Sequence, residues 1–177
     1  MSATPPPAVS WESPEVQAGP APGTEFAPHG GRLVAYILDS IIVSIAVGIP
    51  LIVGFVLLGS GVTVEREVTG IDQVTGIDPG ATAGFSLLFV LAGLIGLLYF
   101  PFFWARGGQT PGMKPFGLRV VRDRDGGRIG WGTALLRLVG LWVAAAVLYI
   151  GFIWIFIDKR RRGWQDLIAG TVVIKRP

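Results

Sequence analysis

Arg32 and Asp39 are charged residues in a stretch of sequence that is otherwise almost entirely apolar as far as Leu58. An ionised carboxylate inside a bilayer costs about 2.5 to 3.5 kcal/mol on insertion scales, so Asp39 needs either a partner or a proton. Desolvation favours the protonated form of a carboxyl group, and proton or sodium carriers use that property. The sequence therefore predicts Asp39 as an ion or proton site, with Arg137 as the residue that tunes it.

A second interpretation of Asp39 is structural. Its carboxylate could pair with Arg137, the Tyr36 hydroxyl or a second protomer, and the contact would then only fix the packing of the helices. Arg32 lies seven residues before Asp39, which on a helix is about 10 Å along the axis and nearly the same face. Because helical side chains lean toward the N-terminus, we expect Arg32 to reach anionic headgroups rather than Asp39.

Asp166 is the third acidic residue of interest. It follows the basic stretch "DKRRRGWQD" and precedes "LIAGT". We expect it at the cytoplasmic surface, where it would pair with one of the arginines that precede the third apolar segment.

The composition limits the classes of function. Apolar residues make up 51% of the 177 residues and charged residues only 15%, where soluble domains have about 25% charged residues. The chain has no cysteine, and its one histidine, His29, lies in a proline-rich region. These facts argue against zinc sites, cysteine nucleophiles and Ser-His-Asp triads, so we predict no catalytic residue, no metal site, no cofactor and no enzymatic activity. Since the basic residues flank apolar segments, we also predict no nucleic-acid binding.

Three apolar segments follow a tail. Residues 1–30 contain seven of the thirteen prolines and are predicted to be a disordered tail, followed by a membrane domain over residues 31–177. Segments 33–58 and 81–104 are long enough to cross a hydrocarbon core of about 30 Å as helices. Segment 138–157 can cross once but not twice.

The distribution of basic residues predicts the topology. Loop 59–80 has one basic residue, Arg66, against four acidic residues, whereas seven basic residues lie between Arg106 and Arg137. The positive-inside rule places the loop outside, and it places the N-terminus and the linker between the second and third apolar segments in the cytoplasm. If segment 138–157 spans, the basic residues divide into eight inside and seven outside; if it re-enters, they divide into fourteen and one. A re-entrant course with a cytoplasmic C-terminus is favoured, and a third span stays open.

The linker predicts a small β element. "GLRVV" and "RIGW" flank the turn signal "DGG" and could form a hairpin, and "TVVI" near the C-terminus is another strand candidate. The predicted fold class is an all-α polytopic membrane protein with two transmembrane helices, a third hydrophobic segment that spans or re-enters, and a small cytoplasmic β element.

Three motifs resemble the signatures of the RDD family of small bacterial membrane proteins. They are "GRLVAYILDS", "GQTPGMKPFGLRVV" and "WQDLIAGTVV", and they occur in that order over residues 31–174. The family takes its name from an arginine and two aspartates, which correspond to Arg32, Asp39 and Asp166. This chain departs from many relatives in having Gln165 where they have a histidine.

The resemblance implies a multi-pass protein of the bacterial cell membrane and suggests a transport-related function, since some family members are similar to cation/proton antiporters. We expect such an exchanger to be a homo-oligomer or to have a partner membrane protein, because two or three helices hardly enclose a hydrated path. The alternative is a non-transporting adaptor or scaffold whose basic cytoplasmic face binds anionic headgroups or a partner protein.

Overall fold

The computed structural model describes residues 19–66, 72–147 and 150–176. Within these ranges it is mostly helical, with five α-helices and five short strands. In chain order, these elements are β1 (Glu25–Phe26), α1 (His29–Ser60), β2 (Val62–Arg66), β3 (Asp72–Ile77), α2 (Pro79–Gly107), β4 (Leu118–Arg122), α3 (Trp131–Ala146), α4 (Ile150–Ile153), α5 (Trp164–Ala169) and β5 (Thr171–Lys175).

Helices α1 and α2 are both long and apolar enough to cross a membrane, as segments 33–58 and 81–104 predict. Their most apolar windows have mean hydropathies of 2.9 and 2.2, and only 6% of each window is buried within the protein. Each helix is longer than its predicted segment, and local signals mark both ends of α2. Asp78 caps the start of α2 by accepting from the Ala81 amide (2.8 Å), and Gly108 ends α2 in a left-handed conformation (φ 69°).

The two long helices pack against each other in antiparallel fashion through small residues. A Cβ added at Gly54 would lie 3.2 Å from the Phe85 ring, and one at Gly96 would lie 3.5 Å from Val47. The short hairpin of β2 and β3 joins the far ends of the helices. This hairpin was not predicted from the sequence.

The third apolar segment does not form one continuous helix. Helix α3 has 16 residues and is about 24 Å long, shorter than the hydrocarbon core of a bilayer. The chain from residue 150 lies back against α3. A Cβ added at Gly151 would be only 2.5 Å from the Cβ of Ala144, which shows this close approach. At the end of the segment, the Ile155 carbonyl is 3.0 Å from Nε2 of His29, the first residue of α1.

The sheet has the order β1-β5-β4 with antiparallel pairing, and Val120 is opposite Val173. The strand predicted at "TVVI" is confirmed, but the predicted pairing of "GLRVV" with "RIGW" is wrong. β4 pairs with β5 instead, and Trp131 of "RIGW" is the first residue of α3. The β5 segment is buried from Thr171 to Ile174, so it fits the centre of a sheet, where it has a partner on each side.

The predicted tail ends earlier than residue 30. Of its residues, 1–18 lie outside the described part of the chain. Residues 25 and 26 form β1 on the edge of β5, and Ala27 is fully buried. His29 contacts the Ile155 carbonyl and stacks on Phe156, with ring centroids 4.8 Å apart. The folded unit therefore begins before residue 31.

The main hydrophobic cluster joins the sheet to the helices. Trp104 at the end of α2 packs with Ala35 of α1, Ala134 of α3 and Val120 of β4. The sheet, the start of α1, the end of α2 and the C-terminus thus gather at one end of the molecule, which we call the sheet end. The β2–β3 hairpin lies at the opposite end, the hairpin end.

Candidate functional site

Asp166 is the centre of a buried charge cluster at the sheet end. Its Oδ1 accepts from Arg137 and its Oδ2 from Arg32, and both pairs are close ion pairs. Oδ2 also accepts from the Gly163 amide (3.0 Å) at the start of α5. Asp166 and Arg137 are fully buried, and Arg32 is 2% exposed. Three segments that are distant in sequence are therefore joined at one carboxylate.

Each arginine also binds a second group. Arg137 donates to the Thr171 hydroxyl at 2.6 Å, and its guanidinium lies 4.8 Å from the centre of the Trp104 ring. Arg32 donates to the Arg161 carbonyl. These contacts fix both side chains, and we call Arg32, Arg137 and Asp166 the charge clamp.

The electrostatics of Asp166 follow from two opposed effects. Burial on its own raises the pKa of this carboxyl group, but the positive charges of Arg137 and Arg32 outweigh burial and hold the pKa below its ordinary value. The Gly163 amide adds to the lowering. The group is therefore a carboxylate at neutral pH.

Asp39 lies in a separate environment, and the described groups that bind its carboxylate are uncharged. Its Oδ1 accepts from the Tyr99 hydroxyl and from the Gly112 amide, both at 2.8 Å, and its Oδ2 accepts from the Thr110 hydroxyl. The Asp39 side chain is fully buried. The carboxylate thus attaches the loop after α2 to the side of α1, and we call Asp39, Tyr99, Thr110 and Gly112 the loop anchor.

Gly112 allows the loop to approach α1 closely. A Cβ at this position would lie 2.4 Å from the Ala35 carbonyl oxygen and 2.8 Å from Oδ1 of Asp39. Both distances are shorter than Cβ contacts allow, so the backbone can come this near only with glycine.

The structure corrects three expectations about these residues. Arg137 binds Asp166 rather than Asp39, because α3 turns its buried face toward α5. Arg32 is buried in the charge clamp instead of extending outward from the protein, since α5 brings Asp166 over the start of α1. Asp166 pairs with an arginine of the linker, as expected, but it is fully buried and not at the surface.

Tyr36 also differs from the expectation that it binds Asp39. Its hydroxyl is 3.5 Å from Arg137 and 3.3 Å from Nε2 of Gln165. Tyr36 therefore belongs to the surroundings of the charge clamp, and Gln165 contributes a neutral amide there.

Sequence reasoning missed Tyr99, Thr110 and Gly112 as partners of Asp39. The signal was present in "GQTPGMK", where a hydroxyl and a glycine stand two residues apart after the second apolar segment. Within the described ranges, no group of three or more histidine or carboxylate side chains could hold a metal ion.

Comparison with known protein families gives one match that covers most of the chain. The sequence model of the protein family described as "RDD family" matches residues 26–170 of this chain. This chain belongs to the RDD family. The resemblance seen in the three motifs is thereby confirmed. Together with the two apolar helices, membership identifies the chain as a membrane protein.

Two relatives of this RDD protein align with most of its length. The uncharacterized protein YxaI of Bacillus subtilis (strain 168) is 30% identical over 145 residues, which cover 81% of this chain and 93% of YxaI. The proline-rich antigen of Mycobacterium leprae (strain TN) is 22% identical over 145 residues, which cover 81% of this chain and 58% of the antigen. No solved structure gives a significant match.

The surface of the sheet end is strongly basic. Among the described residues there, two carboxylate side chains, Glu25 and Asp125, are classed as exposed, against eight exposed lysines and arginines. We call these eight residues the basic surface: Arg106, Lys114, Arg124, Arg128, Lys159, Arg160, Lys175 and Arg176.

Proposed function

We propose that this RDD protein is a multi-pass membrane scaffold whose basic surface rests on the anionic headgroups of the cytoplasmic leaflet. The observation that carries the proposal is the segregation of charge. Fourteen of the fifteen lysines and arginines belong to segments of the sheet end, and the remaining one, Arg66, lies in β2. By the positive-inside rule, such an imbalance favours a cytoplasmic sheet end and an extracytoplasmic hairpin end.

The course of α3 and α4 supports this topology. In the proposal, α1 and α2 cross the bilayer, while α3 enters and α4 returns to the same side. A re-entrant backbone needs protein around it. Helix α3 has that cover from α2 and from α5, since Gly140 of α3 packs against Gln165. Both termini are then cytoplasmic.

The charge clamp and the loop anchor support a scaffold because they hold the sheet rigidly against the helix ends. The clamp connects α1, α3 and α5 through one carboxylate. The anchor connects α1, α2 and the loop before β4. In the proposal, the sheet is thereby held at the membrane surface, where a partner protein can bind it.

The proposed topology can be tested with single cysteines, because the chain has none of its own. Glu65→Cys places a thiol at the hairpin end and Lys175→Cys at the sheet end, and both positions are exposed. We expect an impermeant maleimide to label Glu65→Cys in intact cells, and Lys175→Cys only after permeabilisation. The reverse pattern would contradict the proposed orientation, and labelling of both in intact cells would contradict a common cytoplasmic side for the termini.

The proposed headgroup contact can be tested in liposomes that contain dansyl-labelled lipids. Energy transfer from tryptophan should be stronger to labelled phosphatidylglycerol than to labelled phosphatidylcholine, and the preference should fall with salt. Replacing Arg106, Lys114, Lys159 and Arg160 with glutamine should remove much of this preference for phosphatidylglycerol. Glu65→Gln at the opposite end is the matched control and should keep the preference. Equal transfer to both lipids in the wild type would refute headgroup binding.

A cation/proton exchanger is the second candidate, because Asp39 is a buried carboxyl group in a membrane-length helix and has no cationic partner among the described residues. It would function as an oligomer, since two crossing helices do not enclose a path. The scaffold has the stronger support because both oxygens of Asp39 are already bound and the group is fully buried. The two candidates predict opposite results for ion flux.

A further inference from the structure

A small cavity lies between the start of α1 and the α4 region, apart from the basic surface. It has a volume of about 210 Å³ and is lined by one face of α1 and by the returning chain. The residues from α1 are His29, Arg32, Leu33 and Tyr36, and those from the returning chain are Ile153, Ile155 and Phe156. The spacing of the α1 residues is that of a single helical face. Cavities with such apolar walls take apolar groups rather than water.

The outer wall of this cavity is open to the surroundings of the helices. Leu33, Ile153 and Phe156 are 61%, 56% and 70% exposed. In the proposed topology these side chains lie near the cytoplasmic face of the bilayer. An acyl chain could therefore enter from the side without passing through the protein.

The inner wall carries an incompletely paired charge. Arg32 is 2% exposed, and among the described residues its Nε has no hydrogen-bond partner. Its other two nitrogens bind Asp166 and the Arg161 carbonyl. Since Asp166 also binds Arg137, two buried guanidinium groups share one carboxylate. The charge clamp therefore has an excess of one positive charge, and buried charge that is not compensated is unfavourable.

We propose that this cavity is a binding site for one anionic phospholipid. Its phosphate lies at the end formed by His29 and Arg32, next to the Arg32 guanidinium, while part of an acyl chain lies along Leu33 and Ile153. The lipid compensates the excess charge of the clamp and covers the apolar walls at the same time. Basic pockets on the cytoplasmic side of membrane helices recognise anionic headgroups in this way. The inference rests on the proposed placement of α1 in the membrane but not on the basic surface.

The test measures which lipids stay bound after extraction into detergent, by native mass spectrometry of the full chain. We expect the wild type to keep a phosphatidylglycerol adduct, and Leu33→Trp to lose it because the larger ring fills the cavity. Leu87→Trp is the matched control: Leu87 is 70% exposed on α2 and lies away from the cavity.

Further arms of the same experiment separate this site from other causes of lipid binding. Lys175→Gln with Arg176→Gln should keep the adduct; if only that pair loses it, the lipid is held by the basic surface and the cavity proposal is refuted. Equal retention of phosphatidylcholine would refute recognition by charge. A shift of the melting temperature with inorganic phosphate alone would show a site for free anions, and would also overturn the proposal. Retention in Leu33→Trp equal to the wild type would do the same.

Discussion

The two buried aspartates of this RDD protein are stabilised in different ways. Asp166 binds two guanidinium groups, whereas Asp39 binds two hydroxyl groups and a backbone amide. Both are fully buried. The ion pairs at Asp166 require the carboxylate to be charged, because both guanidinium groups would lose their counter-ion if it were protonated. The loop anchor at Asp39 needs mainly hydrogen-bond acceptors, and a neutral oxygen can serve as one.

This difference separates two structural roles within one family signature. The charge clamp connects segments that are more than one hundred residues apart, since Arg32 and Asp166 lie at opposite ends of the folded unit. The loop anchor connects α1 to the linker that leads into the sheet. We therefore expect charge substitutions to affect the clamp more than the anchor.

The largest expected effect is that of Asp166→Asn. The substitution leaves Arg32 and Arg137 buried without a carboxylate, and breaking a buried ion pair costs about 3–5 kcal/mol. Denaturation in mixed micelles should show a loss of unfolding free energy of that order. Asp125→Asn is the control, since this exposed residue forms surface ion pairs with its neighbours Arg122 and Arg124. Equal, small effects for both variants would show that the clamp does not stabilise the fold.

Acid should destabilise the charge clamp, as Asp166→Asn does. The pKa of Asp166 in the folded protein lies below its ordinary value of 3.8, so its carboxylate stabilises the fold above that pH. This contribution is lost as the pH falls below about 4 through the folded-state pKa. The difference in melting temperature between the wild type and Asp166→Asn should therefore be large at neutral pH and shrink in acid. A difference that stays constant down to strongly acidic pH would contradict this assignment.

Gly112→Ala should have a smaller effect on the loop anchor. The new methyl group would collide with the Ala35 carbonyl and with Asp39, and forced displacements of this kind cost about 1–3 kcal/mol. Gly107→Ala is the control, because a Cβ there meets nothing within 4 Å. The melting temperature should fall for the first variant and change little for the second. The same melting temperature for both would mean that the loop does not lie against α1.

Tyr99→Phe should have the smallest effect. It removes one donor from Oδ1 of Asp39, which keeps the Gly112 amide, and a typical hydrogen bond contributes about 0.5–1.5 kcal/mol to stability. Denaturation in mixed micelles is again the measurement. A loss as large as that of Asp166→Asn would show that the anchor, like the clamp, depends on the charge of its aspartate.

The sequence predicted the helices better than the contacts between charged residues. Segments 33–58 and 81–104 were found because apolar runs of membrane length are strong signals, and α1 and α2 contain both. The partner of "GLRVV" was misidentified because strand pairing depends on tertiary packing, which here brings β5 back from the end of the chain. A short turn signal favoured the local hairpin instead.

The charged site shows the same limit. Arg32, Asp39 and Asp166 stand out in the sequence, and the pairing of Asp166 with an arginine of the linker is confirmed, but the partners of Arg32 and Asp39 differ from those predicted. The position of α5 decides that Arg32 and Arg137 share Asp166, and no local pattern encodes that position. The donors to Asp39 are neutral groups such as Thr110 and the Gly112 amide, which searches for opposite charges overlook.

The most direct test of a structural Asp39 is ion flux in liposomes. Wild type and Asp39→Asn are reconstituted after both are shown to be folded, and proton movement is recorded while a Na⁺, Li⁺ or K⁺ gradient is imposed. Our account predicts that neither protein moves protons above the level of empty liposomes, and that Asp39→Asn keeps the fold because an amide can still accept from Tyr99 and Gly112. Cation-dependent flux in the wild type that disappears in Asp39→Asn would contradict the account and establish an exchanger with Asp39 at its ion site.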